Sequence, residues 1–442
     1  MDSFKDKFYK GLQQKNIKTL NKETVHNLLQ AAKNADKDLK VFGASSHKYQ
    51  LNPVTTLDKV QEFEKKYGLK LPEAYVKFLT EIGNGGAGPD YGLYSLEKVE
   101  AYNSEWLNQN DSKQAFIDEN MTPEMWKKVM DECEDEDDDE KYDEILSQIY
   151  TGILIIGTQG CTFDTMLMCK GSEYGKIVYI DWNLEGDYPP YLTGMNFEEW
   201  YMCFFEEIAN GKDVRNYGYY CLGNEDDLIK LYTDAASPKQ KKKCIISLSR
   251  FSVLSQNTID FLMNIRDKDV DSERLYTLLR VSSENGMLLL DKFLAGENKA
   301  AASERIRLVP DNKKDKYYHQ MLTLLYEEKE ADKESILFFL SDCNCRCAAD
   351  IVKFVMDDTN PENLRRTAIW LMGKCKDVNE YIDEFITLMK SDSYWLVHSA
   401  LQAAIDAGFK CQKIRECYEW LAEKYKDNGM IRNNLSRVLK IK

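Results

Sequence analysis

The sequence predicts an α+β domain followed by an all-α domain, and three observations support this division. Residues 51–215 mix amphipathic helical patterns with short apolar segments, which predicts a mainly antiparallel sheet covered by helices. Residues 224–442 show helical patterns without a convincing strand and predict an array of helices. Residues 1–50 contain one or two short helical patterns and predict an N-terminal helical extension.

The segment 57–96 predicts two short amphipathic helices followed by a glycine-rich turn. Gly68 ends the first helix, and Pro72 begins the second because proline is tolerated at a first helical position. The two apolar faces recur at helical spacing and consist of Leu57, Val60, Phe63 and Tyr67, then Tyr75, Phe78, Leu79 and Ile82.

The glycine-rich turn formally spells a dinucleotide-binding motif, GxGxxG, at Gly83, Gly85 and Gly88. That motif binds a pyrophosphate only between a strand and a helix, where the helix N-terminus meets the phosphates. Here a helix precedes the glycines, and Pro89 follows them. The pattern therefore favours a helix end that continues into a tight turn, without a cofactor.

Three short segments of the α+β region predict strands, at residues 153–156, 165–169 and 176–180. Gly171 and Gly175 separate the last two and predict a hairpin. An apolar helix face then follows and ends at Asn210 and Gly211; it consists of Phe197, Trp200, Tyr201, Phe204, Phe205 and Ile208.

Two groups of residues follow one another in an order that is typical of a known family. The first group comprises Phe63-Glu64, Tyr67-Gly68, Leu71-Pro72-Glu73, Tyr75, Phe78-Leu79, Asn84-Gly85-Gly86, Tyr91-Gly92-Leu93 and Ser95-Leu96. The second comprises Ile156-Gly157-Thr158, Gly160-Cys161, Met166-Leu167-Met168, Gly175-Lys176-Ile177-Val178, Phe197, Trp200 and Tyr201. On these residues the chain resembles the SUKH superfamily, specifically its Smi/Knr branch, over about residues 50–215.

The resemblance implies a binding protein. Many bacterial members are immunity proteins that bind and neutralise a toxin, often a nuclease. Fungal relatives imply the alternative of a regulatory scaffold in cell-wall or stress signalling. The family pattern often stops near the Phe197–Trp200 helix, so the resemblance does not say which half of this chain carries the binding surface.

Composition and charge narrow the class of partner. The formal net charge is −15, and a chain of this charge repels nucleic acid and attracts a basic partner. No apolar run approaches 18 residues, and the N-terminal sequence is charged from its second residue. Twelve cysteines without an export signal favour reduced thiols. We therefore expect a cytoplasmic protein that binds neither nucleic acid nor membrane; the sequence does not fix its oligomeric state.

An acidic run concentrates that charge between residues 131 and 144, where eleven carboxylates face one lysine. Runs of like charge are usually solvated, mobile loops. The same run is also suited to a basic protein such as a nuclease, and the two interpretations are compatible. A calcium site is disfavoured because the spacing lacks the turn glycine of a calcium-binding loop.

The search for chemistry finds no recognised catalytic motif, and the sequence predicts that the chain is not an enzyme. The four histidines, His26, His47, His319 and His398, lack neighbours at metal-ligand spacing and are expected to be ordinary surface or core residues. We expect no cofactor and no metal. An enzyme whose site has no recognisable motif remains a third hypothesis.

Cysteines supply two further candidates. Cys161 lies in the predicted Gly160-Cys161 turn, where the pattern favours a small buried thiol over a nucleophile. Cys343, Cys345 and Cys347 are expected to be ordinary helix cysteines, because alternate helical residues cannot share a face and a zinc site needs more ligands.

The helical region shows an internal offset. Leu364 and Leu396, like Ala368 and Ala400, lie 32 residues apart. That spacing suits a helical-hairpin repeat and resembles HEAT-like arrays, although no consensus is matched in full. Stacked hairpins expose a long face, which favours a binding or scaffolding role.

Together these observations predict an immunity protein that neutralises a cognate toxin, for example a basic nuclease domain, by stoichiometric binding. Loop aromatics and acidic residues are the candidate contacts, because Trp and Tyr dominate interface hot spots. Tyr102 belongs to the same aromatic set. The candidate partner-binding residues are Tyr91, Tyr94, Trp106, Glu134, Asp135, Glu136, Asp137, Asp138, Asp139, Asp181, Trp182, Tyr188 and Tyr191.

Overall fold

One antiparallel sheet organises the first part of the chain, and stacked helices make up the second. The computed structural model describes residues 19–107, 115–118, 120–134, 136, 138–183 and 189–439. The chain divides after Ser252 into two units. A sheet with helices in one unit and helices in the other confirm the predicted α+β and all-α classes. The division falls later than the predicted start of the helical region at residue 224.

The sheet has four strands in the order β1-β2-β3-β4, each antiparallel to its neighbour. Its strands are β1 (Ile153–Gly160), β2 (Phe163–Met168), β3 (Lys176–Asp181) and β4 (Tyr191–Asn196). The first three confirm the predicted strands, and the glycine-bounded hairpin joins β2 to β3 as predicted. Single β-bridges link Leu51, Gly86, Leu93 and Gly157 in turn, so the glycine-rich turn lies against the edge of β1.

The helices of the first unit lie before, between and after the strands. They are α1 (Lys22–Ala35), α2 (Ala44–His47), α3 (Leu57–Tyr67), α4 (Glu73–Lys77, continued by a π-helical turn Phe78–Ile82), α5 (Leu96–Leu107), α6 (Pro123–Glu134), α7 (Asp139–Ile149), α8 (Phe197–Ala209), α9 (Glu225–Asp234) and α10 (Pro238–Ser247). Gly68 ends α3 in the left-handed conformation, as predicted, whereas Pro72 caps α4 one residue before its first turn.

Helix α8 lies at the centre of the core of the first unit. A capping box at Asn196 begins the helix, and α1 and α4 pack against it. The Phe197 ring lies 5.0 Å from the Tyr75 ring, and the Tyr201 ring lies 4.8 Å from the Phe78 ring. Aromatic pairs at these separations add stabilisation beyond area burial. The family-like residues of α4 and α8 therefore meet in one core.

Most described residues of the acidic run lie in two helices, α6 up to Glu134 and α7 from Asp139, which corrects the expectation of a mobile loop; Glu136 and Asp138 lie between the helices. Glu134 ends α6, and Asp138 caps α7 by accepting from the N–H groups of Glu140 and Lys141 at 3.1 and 3.3 Å. The run folds because α6 buries Trp126 on the opposite face. Asp135 and Asp137 lie outside the described residues.

The second unit consists of helices throughout its described residues. They are α11 (Gln256–Asn264), α12 (Asp271–Val281), α13 (Ser283–Lys292), α14 (Lys299–Arg305), α15 (Tyr318–Glu327), α16 (Lys333–Asp342), α17 (Ala348–Met356), α18 (Glu362–Gly373), α19 (Ile382–Met389), α20 (Tyr394–Ala407), α21 (Gln412–Lys424) and α22 (Gly429–Ser436). No described helix of the chain is long and apolar enough to span a membrane.

Alternate helices of the second unit stack on one another. Helices α12, α14, α16, α18, α20 and α22 pack in succession, and α15, α17, α19 and α21 each pack on the helix that follows. This is the packing expected of helical hairpins that repeat along an array. Contacts between repeats recur near the predicted 32-residue offset, as in the bond from the Tyr318 hydroxyl to Asp350 at 3.0 Å.

The cysteine cluster of the second unit does not lie on a helix, contrary to expectation. Cys343 follows α16 and is buried, Cys345 lies in the connecting turn, and Cys347 caps α17. The Cys347 thiol donates to the Asp377 carboxylate at 2.9 Å. Helix α16 ends at Asp342 and α17 begins at Ala348, so the three cysteines lie in the connection between them. Their thiols therefore occupy different environments.

Candidate functional site

Three aromatic side chains stack at one surface of the first unit. Trp106, near the end of α5, lies 4.8 Å from Tyr150 with an interplanar angle of 7°, and Tyr150 lies 4.7 Å from Trp182 at 21°. All three side chains are half-buried. The sequence named Trp106 and Trp182 in separate loops and missed Tyr150, which joins them. We call these three residues the aromatic stack.

Asp164 on β2 connects the stack to a further tyrosine. The Trp182 indole donates to Asp164 at 3.1 Å. Burial raises the pKa of Asp164, although hydrogen bonds from Thr158 and Trp182 oppose that shift. Burial, with smaller effects from the charges of Tyr102 and Asp164, raises the pKa of Tyr94 to about 12. Aromatic rings with one polar tip suit an interface that is partly apolar and partly wet.

The acidic helices α6 and α7 come just before the central residue of the aromatic stack in the sequence. That residue, Tyr150, directly follows α7. A groove of about 700 Å³ runs between the two helices and is lined by Glu124, Lys127, Lys128, Asp131, Glu132, Glu136 and Ile145. Its two lysines pair within α6, Lys127 with Asp131 at 3.2 Å and Lys128 with Glu132 at 3.6 Å. The groove therefore presents an excess of carboxylates to solvent.

The other acidic candidates differ in solvent exposure and in hydrogen bonding. Glu134 and Asp139 are exposed, and Glu136 is half-buried. Asp138 is exposed but serves as the cap of α7. Asp181 is buried and accepts from the Thr162 hydroxyl at 2.5 Å, so its carboxylate is already occupied.

The remaining described tyrosine candidates contact other partners. Tyr94 is 8% exposed, and Lys98 lies over its ring at 3.7 Å. Tyr91 is 43% exposed and packs edge-on against Phe42. Tyr191 accepts a hydrogen bond from Lys243 at 2.5 Å. Tyr188 lies outside the described residues.

The candidate thiol and metal ligands do not assemble into a reactive site in the described structure. Cys161 is exposed rather than buried, because the β1–β2 hairpin places it at the turn with a φ of 52°. Burial lowers the pKa of His47 to about 4, so this imidazole is neutral at physiological pH. Within the described residues, no group of three or more His, Cys, Asp or Glu side chains is arranged to hold a metal.

Comparison with known proteins identifies the α+β domain. Residues 55–202 match the sequence profile of the SMI1 / KNR4 family (SUKH-1). The match spans β1 to β4 and the start of α8, and it lies within the range that the sequence assigned to this family. No curated protein matches the chain.

Proposed function

Residues 55–202 form an SMI1/KNR4 (SUKH-1) domain, and on this premise we propose that the chain acts by binding another protein. The partner that fits best is a basic toxin domain, such as a nuclease, which the chain neutralises as an immunity protein by stoichiometric occlusion. The observation that carries the proposal is the acidic helix pair α6–α7, which leads directly into the aromatic stack.

Charge distribution supports the choice of this surface. Residues 253–442 contain 29 Lys and Arg against 31 Asp and Glu, so this part is close to neutral. The net charge of −15 therefore resides mostly in the first unit, and the acidic run provides most of it. A concentrated negative field accelerates encounter with a basic partner and orients it.

The aromatic stack supplies the binding affinity that the acidic helices do not provide. Exposed ion pairs are screened and contribute little affinity, whereas half-buried Trp and Tyr bury large areas at low entropic cost. In this mechanism the carboxylates steer a basic surface towards α6 and α7, and Trp106, Tyr150 and Trp182 anchor it. Occlusion requires no bond to be made or broken.

Co-expression tests the proposal. The full chain should restore growth to cells that produce the basic toxin domain encoded beside its gene. Replacing Glu134, Glu136 and Asp139 with lysine should abolish the rescue, whereas a matched variant with lysine at the exposed Glu327, Glu330 and Glu334 should retain it. Failure of the chain to counter any neighbouring gene product, or full rescue by the triple variant, would contradict the proposal.

A second candidate function is the regulatory scaffold, and one feature of the second unit favours it. Trp370 on α18 and Trp395 on α20 are 40% and 45% exposed, and cations cover both rings: Lys374 at 3.4 Å and Arg366 at 4.8 Å. Exposed aromatics along a helical array suit an extended partner. Under this alternative, pulldown from cells returns signalling proteins, and replacing both tryptophans with alanine releases them.

A further inference from the structure

A second, separate cavity opens in the first unit, and its lining contains none of the candidate partner-binding residues that the sequence selected. It encloses about 970 Å³ and is walled mainly by apolar and aromatic side chains, among them Val41, Phe42, Phe163, Phe204, Ile208 and Tyr219. Cavities of about 300–1,000 Å³ with apolar walls and a few polar groups are typical of small-molecule sites. A single protein side chain would leave most of this volume unfilled.

Asp90 is the polar group that distinguishes this cavity. It lies in the turn closed by the Gly92 N–H donating to the Pro89 carbonyl at 2.9 Å, and its φ is 52°. Among the described residues, no side chain or backbone group makes a hydrogen bond or ion pair with the Asp90 carboxylate. Burial raises the pKa of this carboxyl to about 7. Such a carboxylate gains more from a cationic ligand than a solvated one does.

The turn that presents Asp90 is held in place by a close backbone approach. A Cβ atom on Gly43 would lie 1.9 Å from the Asp90 carbonyl oxygen, and Gly43 has a φ of 77°. Only glycine fits this position without displacing the turn. The fold therefore fixes the backbone of Asp90 at the cavity wall.

Every other charge in the cavity lining has a partner. Lys40 pairs with Asp38 at 2.9 Å, Lys212 with Glu207 at 2.8 Å, and Arg215 with Asp213 at 2.5 Å. The last charged lining residue, Asp36, accepts from the Tyr49 hydroxyl at 2.7 Å. Each of the three lining cations thus contacts a carboxylate, with Glu207 shared between Lys212 and Arg250, whereas Asp90 contacts no cation among the described residues.

Aromatic and amide groups complete the wall. Burial, the charge of Tyr191 and then that of Asp90 raise the pKa of Tyr219, and both Tyr219 and Asp90 line the cavity. An aromatic face beside a carboxylate attracts a cation through two effects that act together. Gln159 also lines the cavity, and its amide nitrogen is buried without a hydrogen-bond partner among the described residues.

We propose that this cavity binds a small organic cation with an aromatic or planar apolar body, whose ammonium or guanidinium group pairs with Asp90. The apolar body lies against Phe42, Phe163 and Tyr219, and the Gln159 amide offers a donor to an oxygen of the ligand. The cavity shares no lining residue with the groove of the acidic helices and none with the aromatic stack.

Titration calorimetry on the full chain with three matched probes tests the proposal. 2-Phenylethylamine carries the cation, 2-phenylethanol replaces it with a neutral group of similar shape, and phenylacetate carries the opposite charge. The amine should bind saturably and at least tenfold more tightly than the alcohol, and phenylacetate should not bind. The variant Asp90→Asn should weaken amine binding at least tenfold while leaving the alcohol unchanged.

Asparagine is a conservative choice because it tolerates the left-handed backbone of Asp90. Asp58→Asn, which removes an exposed carboxylate outside the lining that pairs with none of its charges, serves as the control and should bind the amine like the unaltered chain. No saturable amine binding, equal binding by Asp90→Asn, or a preference for phenylacetate would each overturn the proposal. Binding of an arginine-containing peptide but of none of the small amines would overturn it in favour of a protein side chain.

Discussion

The two units of the chain hold their folds in different ways. Among the described residues, all six non-glycine residues with positive φ lie in the first unit: Leu39, Lys48, Tyr49, Asp90, Cys161 and Asn216. In the second unit this conformation occurs, among described residues, at two glycines, Gly296 and Gly408. Strained turns cluster where function requires a fixed loop geometry. The difference places the most specialised backbone of the molecule around the sheet.

The contacts of the two units differ in sequence separation. In the first unit, the Leu20 N–H donates to Glu198, and the Tyr201 hydroxyl donates to the Ala87 carbonyl, across 178 and 114 residues. In the second unit, Lys314 donates to Asp342 and Arg366 to Ser399, across 28 and 33 residues. The first fold is therefore one cooperative network, whereas the second is a sum of neighbouring repeats.

The largest expected effect concerns the turns of the first unit. Gly43→Ala should destabilise this unit by about 3–5 kcal/mol, because the new Cβ meets the Asp90 carbonyl and the backbone is left-handed. Gly68→Ala is the control: its φ is also positive, but nothing lies within 4 Å, so the loss should be about 1–2 kcal/mol. Urea denaturation measures both. Equal losses would show that the close approach at Gly43 does not constrain the fold.

The next effect compares buried ion pairs. Arg250 donates to Glu207 and, at 2.7 Å, to the Cys221 carbonyl, and both charged side chains are buried. Arg250→Met should destabilise the first unit by about 2–4 kcal/mol, because Lys212 compensates Glu207 only in part.

The corresponding pair in the second unit lies within one helix, where Arg274 contacts Asp271 at 2.9 Å and Asn298 also binds that carboxylate. Arg274→Met should therefore cost about 1–3 kcal/mol, measured by the same denaturation. A larger loss at Arg274 than at Arg250 would contradict the view that distant contacts dominate the first unit.

The third prediction is that Asp377 and Asp90 contribute to stability with opposite pH dependence. Burial raises the Asp377 pKa, but hydrogen bonds from Ala348, Cys347 and Ala349 outweigh it and hold that pKa below its usual value. Its stabilisation is therefore present above about pH 4 and is lost as the pH falls through the folded pKa. Asp377→Ala should cost about 1–2 kcal/mol at pH 7 and progressively less in acid.

Asp90 should behave in the reverse sense, because its folded pKa lies near 7. Its contribution is most favourable below about pH 4 and declines as the pH rises towards 7, and Asp90→Asn should remove that decline. Denaturation at several pH values checks both residues. Parallel trends for the two carboxylates would show that one of these environments is misassigned.

The smallest effect concerns the acidic helices. Replacing Glu134 and Glu136 with glutamine and Asp139 with asparagine should change stability by no more than about 0.5 kcal/mol, because exposed charges contribute little to folding. Thermal unfolding measures this. A loss of several kcal/mol would show that these carboxylates support the fold, which would weaken their assignment to partner binding.

The helices and strands that the sequence predicted follow from local patterns, whereas the elements that it missed depend on tertiary contacts. The Gly68 cap, the hairpin between β2 and β3, and the α8 helix follow from signals within a few residues. Strand β4 was missed because its segment includes Gly194 and becomes a strand only by pairing with β3. The helical acidic run was missed because the burial of Trp126 depends on the folded core.

The candidate site was predicted in part for the same reason. Trp106 and Trp182 stood out as loop aromatics, but their stacking through Tyr150 is a contact between residues far apart in sequence. Asp90 reads as an ordinary turn residue beside Pro89. Its significance comes from a missing partner and an enclosing wall, and neither can be read from residue spacing.

The central claim is that the first unit carries the protein-binding surface. Its most direct test is calorimetric titration of the full chain with the basic toxin domain, using Trp106→Ala with Trp182→Ala in one variant and Trp370→Ala with Trp395→Ala in another. The account predicts a 1:1 complex that weakens with salt and loses at least tenfold in affinity in the first variant alone. Loss of affinity in the second variant alone would contradict it and would place the binding surface on the helical array.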